Sequence, residues 1–259
     1  MTTPTADLRS QRIPAEATRL AEQAEARSIP LRITGSVAVF VLCRENADLL
    51  AKLGRRPYHD IDFWALDRDR KRIVEFFAAE GYSVDPESLH LREWGIKRLI
   101  FEHPETSIKV DVFMDELVMA HTIPFADRLR VDSPCIPPAD LLLSKLQIHE
   151  ITSNDFIDLT LLLLGHEPGE EQPGRIGLDR VASILAEDWG FWYEATQNLA
   201  ALEGAVAGYS ALPGAARDSV VRRISALSQR IEAEPKSRRW RWRARTGTRR
   251  RWYEHVSEA

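Results

Sequence analysis

The sequence predicts an α+β fold, with a small mixed β-sheet flanked by helices in about the first 135 residues and an α-helical part after it. Short apolar or alternating runs bounded by glycine, proline and polar turns occur in the first half and are typical of strands. From residue 136 onward, apolar residues recur at helical spacing, with breaks at proline and glycine. A chain of 259 residues is long enough to bury a sizeable core, in one large domain or two closely packed ones.

Helices and strands alternate in the predicted first half. The helices carry strong helix formers or a buried apolar face, and the strands are short and rich in β-branched or aromatic residues. The last two strands flank Pro104-Glu105-Thr106, which predicts an antiparallel hairpin. In chain order the predicted elements are a helix over 14–28, a strand over 31–34, a buried helix over 37–54, a strand over 60–65, an amphipathic helix over 67–82, and strands over 97–103 and 107–113.

The predicted second half is helical. The Pro137-Pro138 pair opens its first helix, and glycine, proline or tryptophan-glycine breaks separate the following ones. The later helices are predicted over 154–165, 177–188, 190–208 and 215–232. The resulting domain prediction is an α/β domain over 1–135, a helical domain over 136–235 and a basic tail over 236–259.

Charge is distributed unevenly along the chain. The net charge is -4, yet residues 236–252 hold nine lysines and arginines and no acidic residue. Arginines alternate there with Trp240 and Trp242, and Trp252 closes the run. Arginine neutralises phosphates and tryptophan stacks on bases, so this composition favours single-stranded or structured RNA as a partner. The alternative is that the tail lies over the acidic remainder, with its tryptophans packed on the helical half.

Several classes of protein are disfavoured by the sequence. No stretch approaches the roughly 20 apolar residues that span a membrane, and the first residues lack the apolar core of a signal peptide. Cys43 and Cys135 lie in apolar surroundings without metal-type spacing, so we interpret them as reduced core residues. We therefore expect a cytoplasmic protein without a membrane partner.

Two aspartates on one predicted strand are the first candidate site residues. Asp60 and Asp62 are separated by one residue, so on a strand both side chains point to the same face. Adjacent carboxylates repel each other unless a cation lies between them. Mg²⁺ prefers such oxygen ligands and usually binds through one or two carboxylates together with phosphates. A solvated sheet edge is the alternative interpretation of this pair.

A third aspartate strengthens the metal-site interpretation. In the strand over 107–113, Ile108, Val110 and Val112 share one face and Asp111 points to the other. An adjacent strand can bring Asp111 beside the first two carboxylates. Three carboxylates can hold two ions about 4 Å apart, one activating the attacking hydroxyl and the other holding the triphosphate.

Gly35 and Ser36 follow the strand over 31–34 and precede a helix. A glycine at such a turn permits close approach of the backbone, and the amides at the start of the helix can bind phosphate. Such turns are common, so the turn alone is weak evidence for a phosphate site. The order of the elements along the chain is stronger evidence: a strand, Gly-Ser, a helix, the D-I-D strand and then the V-D-V strand.

The segments ITGS (33–36), HDIDFW (59–64) and KVDVF (109–113) together resemble the nucleotidyltransferase superfamily related to DNA polymerase β. The resemblance spans about residues 30–165, is closest to the abortive-infection and toxin-type members, and is shared in part with aminoglycoside-type enzymes. It implies transfer of a nucleoside monophosphate from a nucleoside triphosphate, with Mg²⁺ or Mn²⁺ as cofactor and release of pyrophosphate. It also implies a helical domain that closes the cleft.

The resemblance assigns roles to the candidate residues. Gly35 and Ser36 match the motif that contacts the triphosphate, and Asp60 and Asp62 match the metal-binding pair. Asp111 matches the third carboxylate, which also binds metal and assists deprotonation of the acceptor. The 23 residues between Ser36 and Asp60 are more than in the smallest, antitoxin-like members and favour the larger groups.

Lys145 and Asp158 extend the candidate site into the helical half. Lys145 shares a helix face with apolar residues, so its ammonium needs an anionic partner. That partner is the triphosphate, or Asp155 or Asp158 on the next helix. The pattern around these residues is similar to a second block of the toxin-type enzymes, in which a lysine and an aspartate complete the nucleotide site. Asp158 is the better match, because Asp155 is placed to cap its helix.

The expected function is nucleotide transfer to RNA, such as a tRNA 3′ end, or to a protein side chain. Such an enzyme can serve as the toxin of a toxin–antitoxin pair, with an antitoxin as a further partner. Two alternatives remain open at this point. One is an adenylyltransferase for a small hydroxylated molecule such as an aminoglycoside, and the other is a nucleic-acid-binding protein on an inactive scaffold.

Overall fold

The computed structural model describes residues 4–254, which divide into two compact units that are not continuous in sequence. The first unit comprises the chain up to Val41 together with 56–117 and 124–136. The second comprises 42–55, 118–123 and the chain from Pro137 onward. The sequence-based prediction placed domain boundaries after residues 135 and 235. Residues 255–259 of the predicted tail lie outside the described residues.

Helices and strands are interspersed up to residue 124, and helices predominate after it. The helices of the described chain are α1 (Pro4–Ala26), α2 (Gly35–Leu42), α3 (Ala47–Lys52), α4 (Arg70–Ala79), α5 (Pro86–His90), α6 (Pro138–Leu146), α7 (Ser153–Gly165), α8 (Leu178–Glu187), α9 (Trp189–Gly208), α10 (Gly214–Ala233) and α11 (Arg238–Ala244). The strands are β1 (Arg32–Thr34), β2 (Asp60–Ala65), β3 (Ser83–Val84), β4 (Arg98–Glu102), β5 (Lys109–Met114), β6 (Glu116–Val118), β7 (Thr122–Pro124), β8 (Pro168–Gly169) and β9 (Ile176–Gly177).

A mixed sheet organises the first unit. Within residues 4–254 it has five strands in the order β1-β2-β5-β4-β3. The central pair, β2 and β5, is parallel, and the neighbouring pairs are antiparallel. This confirms the prediction of a mixed α+β protein with a small sheet, and it confirms the antiparallel hairpin formed by β4 and β5.

One face of this sheet forms the core of the first unit. Ile61, Phe63, Val110 and Val112 point to this face from β2 and β5, and all four are fully buried. Helix α4 contributes Phe77, whose ring stacks on Phe101 of β4 with 4.3 Å between the ring centroids. Burying this face leaves the alternate side chains of β2 and β5, among them the predicted aspartates, on the opposite face.

The second unit is built mainly of helices α6 to α10. Helix α10 packs against α7, α8 and α9, and α6 also contacts these three helices. The start of α7 is fixed by a capping box, in which Thr152 and Asp155 exchange side-chain-to-backbone hydrogen bonds. The helices predicted over 154–165, 177–188, 190–208 and 215–232 agree with α7 to α10 to within one residue at every end.

Two predicted helices differ from the observed ones. The helix predicted to begin at Pro14 begins at Pro4, so the proline lies inside α1. The helix predicted over 37–54 is broken, because α2 ends at Leu42 and a 3₁₀ turn over 44–46 precedes α3. The break coincides with the polar sequence Arg-Glu-Asn, where the apolar helical spacing of the segment is interrupted.

The cysteines agree with the sequence-based interpretation. Cys43 and Cys135 are both free thiols and both buried. Burial raises the pKa of Cys43 to about 12, so its reactive thiolate form is scarce at neutral pH. Within residues 4–254, the helices are all too short or too polar to cross a bilayer.

Candidate functional site

The carboxylates of the predicted site lie on the other face of the central strand pair, opposite Ile61, Phe63, Val110 and Val112. The parallel register of β2 and β5 makes Asp62 and Asp111 direct partners, and it places Asp60 opposite Lys109. Asp62 and Asp111 are half-buried, whereas Asp60 is exposed at the start of β2. Partner positions on neighbouring strands project their side chains to the same side of a sheet. The structure therefore brings Asp62 and Asp111 together, with Asp60 two residues away on the same face.

The row that contains these aspartates continues across the sheet. Thr34 at the end of β1 is the partner of Asp62, and Ile100 of β4 is the partner of Asp111. Thr34 is buried and directly precedes Gly35. The phosphate-binding turn predicted at Gly35 and Ser36 therefore begins at the strand position beside Asp62.

Gly35 approaches Asp62 closely. Its φ of +65° lies in the left-handed region, which favours glycine. A β-carbon at this position would collide with the Oδ2 atom of Asp62 and would lie 3.2 Å from its Cγ. Position 35 therefore requires glycine for two reasons, its backbone conformation and the contact with Asp62.

Ser36 is the second residue of α2 and is half-buried. The first backbone amides of a helix have no acceptor within the helix, and together with the helix dipole they favour an anion. The first backbone amides of α2 therefore lie at the end of β1 that is next to Asp62. This combination of amides and carboxylates suits a phosphate group that is bridged to carboxylates by a metal ion.

Arg98 is a site residue that the sequence analysis missed. From β4, its Nε donates to Oδ1 of Asp111 at 3.1 Å and its Nη2 donates to Oδ2 at 2.9 Å. Its guanidinium also lies 5.3 Å from the ring centroid of Phe113, the next residue on the same face of β5. Two parallel hydrogen bonds make this a bidentate ion pair, the strong and orientation-specific form. Arg98 therefore already supplies a positive charge to Asp111.

The donor chemistry at positions 60, 62 and 111 fits a magnesium ion, because carboxylate oxygens are the ligands it prefers. In the described part of the chain, no three His, Cys, Asp or Glu side chains are gathered closely enough to hold a metal ion. At this site both carboxylate oxygens of Asp111 accept hydrogen bonds from Arg98. The residue types fit the ion, and the arrangement is that of a salt-bridged site.

The second unit contains a charge cluster around Lys145. The Lys145 Nζ atom lies 2.8 Å from Asp155 Oδ1 and 2.9 Å from Asp158 Oδ2. Arg55 completes the cluster, because its Nε lies 2.8 Å from Asp158 Oδ1. Two cations thus face two anions. Both aspartates proposed as partners of Lys145 are partners, and Asp155 also caps α7.

Burial and charge act in opposite directions on this cluster. Burial of Lys145 opposes its charged form, but the two aspartates outweigh burial and raise its pKa above the usual value. Burial likewise opposes the charged form of Asp155, but Lys145 and the hydrogen bonds from Thr152 lower its pKa. The side chain of Asp158 is fully buried. Charge attraction therefore favours the charged forms of Lys145 and Asp155, and nucleotide binding by Lys145 and Asp158 stays a prediction.

The basic tail is folded over its described part. Trp240 of α11 meets Trp192 of α9 edge to face, with ring centroids 5.1 Å apart. The Nε1 atom of Trp252 donates to Glu194 Oε2 at 2.7 Å. The alternative that the tail packs on the helical half is therefore confirmed for these two tryptophans. Trp242 differs from them, because 68% of its surface is exposed.

Comparison of the chain with protein-family models and with curated proteins found no match. The resemblance to nucleotidyltransferases therefore stays a prediction from the three segments around Gly35, Asp62 and Asp111. A functional proposal therefore rests on the geometry of these residues and not on a family assignment.

Proposed function

We propose that this protein is a Mg²⁺-dependent nucleotidyltransferase that moves a nucleoside monophosphate from a nucleoside triphosphate to an RNA or protein hydroxyl. The observation that carries the proposal is the parallel pairing of β2 and β5, which makes Asp62 and Asp111 partners. The close approach of Gly35 to Asp62 supports it, because it joins a turn suited to phosphate to the carboxylate pair.

Each residue has a distinct role in this proposal. Asp60, Asp62 and Asp111 hold the metal ions, and the backbone of Gly35 and Ser36 binds the triphosphate. Asp111 orients the acceptor hydroxyl and accepts its proton as the oxygen–phosphorus bond forms at the α-phosphate. The bond from the α-phosphorus to the bridging oxygen breaks, and pyrophosphate leaves with that electron pair. When bound, the divalent ion neutralises charge on the triphosphate and lowers the pKa of the attacking hydroxyl.

A second candidate function is supported by the Arg98–Asp111 pair. A guanidinium that satisfies both oxygens of the third carboxylate is what an inactive scaffold would retain for stability. The chain would then bind nucleic acid without transferring a nucleotide. The two functions differ in one measurable property, the Mg²⁺-dependent release of pyrophosphate from a nucleoside triphosphate.

Incubation with each α-labelled nucleoside triphosphate, Mg²⁺ and either total RNA or cell lysate tests the proposal. We expect label in RNA or protein with one or a few of the nucleotides. Asp60→Ala and Asp62→Ala should abolish the transfer while the protein remains folded. Asp127→Asn is a matched control, because Asp127 is an exposed aspartate of the same unit outside the site.

The destination of the label decides between the remaining functions. Label on an added aminoglycoside, and not on RNA or protein, would identify a small-molecule adenylyltransferase. No transfer with any of these acceptors, together with no pyrophosphate release, would overturn the proposal in favour of an inactive scaffold. Transfer that persists in the Asp60→Ala and Asp62→Ala variants would show that the site lies elsewhere.

A further inference from the structure

Helix α11 and the residues after it present two different faces. Trp240 and Arg243 are half-buried and face the second unit, where Arg243 lies 4.8 Å from the ring centroid of Trp189. Trp242 and its arginine neighbours face outward. In the described part of the tail, seven arginines are exposed to solvent: Arg238, Arg239, Arg241, Arg245, Arg249, Arg250 and Arg251. We call these seven residues and Trp242 the arginine–tryptophan surface.

These arginines have no acidic partners in the described chain. Within residues 4–254, no salt bridge joins any of the seven to an aspartate or glutamate. The expected attraction between the basic tail and the acidic remainder therefore does not account for them. Seven like charges close together repel each other, and this repulsion is relieved by a partner with closely spaced negative charges.

Trp242 is placed among the arginines by the geometry of the helix. It lies four residues after Arg238, three after Arg239 and three before Arg245, positions that are neighbours on a helix surface. In the described chain its ring makes none of the ring contacts made by Trp240 and Trp252. An exposed indole among arginines offers a stacking face beside phosphate-binding charges.

The surface is held in place by the residues beneath it. Trp252 is anchored to Glu194, and Tyr253 stacks on His149 with ring centroids 3.6 Å apart. Arg243 donates to the carbonyl oxygens of Gly247 and Arg250, which closes the turn after α11. A partner therefore meets a preformed surface, so binding costs less conformational entropy than the ordering of a flexible tail would.

We propose that the arginine–tryptophan surface binds single-stranded RNA, with the arginines on successive phosphates and Trp242 stacked on a base. The choice of RNA rests on the proposed function, in which an RNA hydroxyl is an acceptor. An anionic membrane is disfavoured, because an interfacial helix needs a continuous apolar face and α11 exposes only one large apolar side chain within the described residues. Trp240, which would extend such a face, is packed against Trp192.

Binding is tested with the full chain and a fluorescently labelled 12-nucleotide RNA of mixed sequence, without nucleotide or Mg²⁺. We expect Trp242→Ala to weaken RNA binding roughly 5- to 150-fold, the loss of one stacked base. Trp242→Phe should retain most of the affinity. Trp94→Ala is the matched control, because Trp94 is an exposed tryptophan outside this surface, and it should bind as the wild type does.

The charge contribution is tested through salt dependence. The double variant Arg241→Gln/Arg245→Gln should bind more weakly. The slope of log K against log salt concentration is negative, and its magnitude should decrease by about 1.4, or about 0.7 per lost phosphate contact. Arg44→Gln/Lys52→Gln removes two exposed basic residues of the same unit and should leave the slope unchanged.

The outcomes separate this inference from the proposed function. RNA affinity that is unchanged in Trp242→Ala and in the arginine variant would overturn the inference, as would equally tight binding of DNA of the same sequence. Binding to phosphatidylserine vesicles that depends on these residues, without RNA binding, would also overturn it. Asp62→Ala should bind RNA normally. RNA binding without nucleotide transfer would refute only the proposed function, and transfer to protein without RNA binding would refute only this inference.

Discussion

The carboxylate of Asp62 occupies the space that a side chain at Gly35 would need. We predict that Gly35→Ala destabilises the protein and abolishes nucleotide transfer. The left-handed backbone alone costs roughly 1–2 kcal/mol for alanine, and displacement of the half-buried carboxylate adds to this cost. The free energy of unfolding, measured with urea, and the rate of transfer test the two parts of the prediction.

Gly95→Ala is the control for backbone strain in this prediction. Gly95 has a φ of +79°, and a β-carbon there would meet nothing within 4 Å. Gly95→Ala should therefore lower the free energy of unfolding only by the cost of the left-handed backbone, and it should leave nucleotide transfer intact. Equal losses of stability in Gly35→Ala and Gly95→Ala would mean that the contact with Asp62 is unimportant.

The placement of the aspartates was predictable from the sequence because it depends on local periodicity. The alternation of Ile61 and Phe63 with Asp60 and Asp62 fixes which face each side chain takes once the strand forms. The partnership of Asp62 with Asp111 additionally requires the two strands to be neighbours. The structure confirms that expectation, with the register in parallel.

Arg98 could not be identified in this way, because its contact depends on the register of the hairpin. Ile100, and not Arg98, lies directly opposite Asp111, so the arginine reaches it diagonally from two residues away. Long side chains cross this distance, and the sequence contains no sign of which ones do. The partners of Lys145 were undecidable for a similar reason, since Asp155 and Asp158 share one face of α7.

The pair of Arg98 and Asp111 leads to a prediction about metal binding. Arg98→Ala leaves the mostly buried Asp111 carboxylate without its bidentate partner and should destabilise the protein by about 1–3 kcal/mol in the absence of divalent ions. If Asp111 binds metal, as proposed, Mg²⁺ or Mn²⁺ should restore much of this stability. We expect the melting temperature of Arg98→Ala to rise more with Mn²⁺ than that of the wild type.

Lys97→Ala is the neighbouring control for this experiment. Lys97 pairs with Asp115 and Glu116 and not with the candidate site. Its variant should respond to Mn²⁺ as the wild type does. An equal response of Arg98→Ala and Lys97→Ala would argue against Asp111 as a metal ligand.

The charge cluster of the second unit predicts a dependence of stability on pH. Lys145→Met removes the ammonium that both Asp155 and Asp158 contact and should cost roughly 3–5 kcal/mol at pH 7. In the wild type the pKa of Asp155 is lower in the folded state than its usual value of 3.8. Its contribution is therefore present above about pH 4 and lost as the pH falls through the folded-state pKa.

Lys145 does the most to lower the pKa of Asp155. Lys145→Met should therefore lose less stability on acidification than the wild type. The stability difference between the two proteins, from urea unfolding at pH 7 and pH 3, should narrow at the lower pH. Because the pKa of Lys145 is raised, its own contribution should persist throughout this range. A difference that is independent of pH would show that Asp155 is not coupled to Lys145.

Two tryptophans of the tail, Trp242 and Trp252, should differ in how much they contribute to stability. Trp252 donates to Glu194 and meets the ring of Tyr193 edge to face at 5.1 Å, so Trp252→Ala removes both a hydrogen bond and aromatic packing. Because Trp252 is only half-buried, we expect a loss of roughly 1–3 kcal/mol, below the 3–5 kcal/mol of a fully buried tryptophan. Trp242→Ala should change stability by less than about 0.5 kcal/mol, as is usual for an exposed residue. Urea unfolding of both variants measures the contrast.

If Trp242→Ala proves as destabilising as Trp252→Ala, the outward face of α11 contributes to the fold, and weaker RNA binding by that variant would no longer report a stacked base.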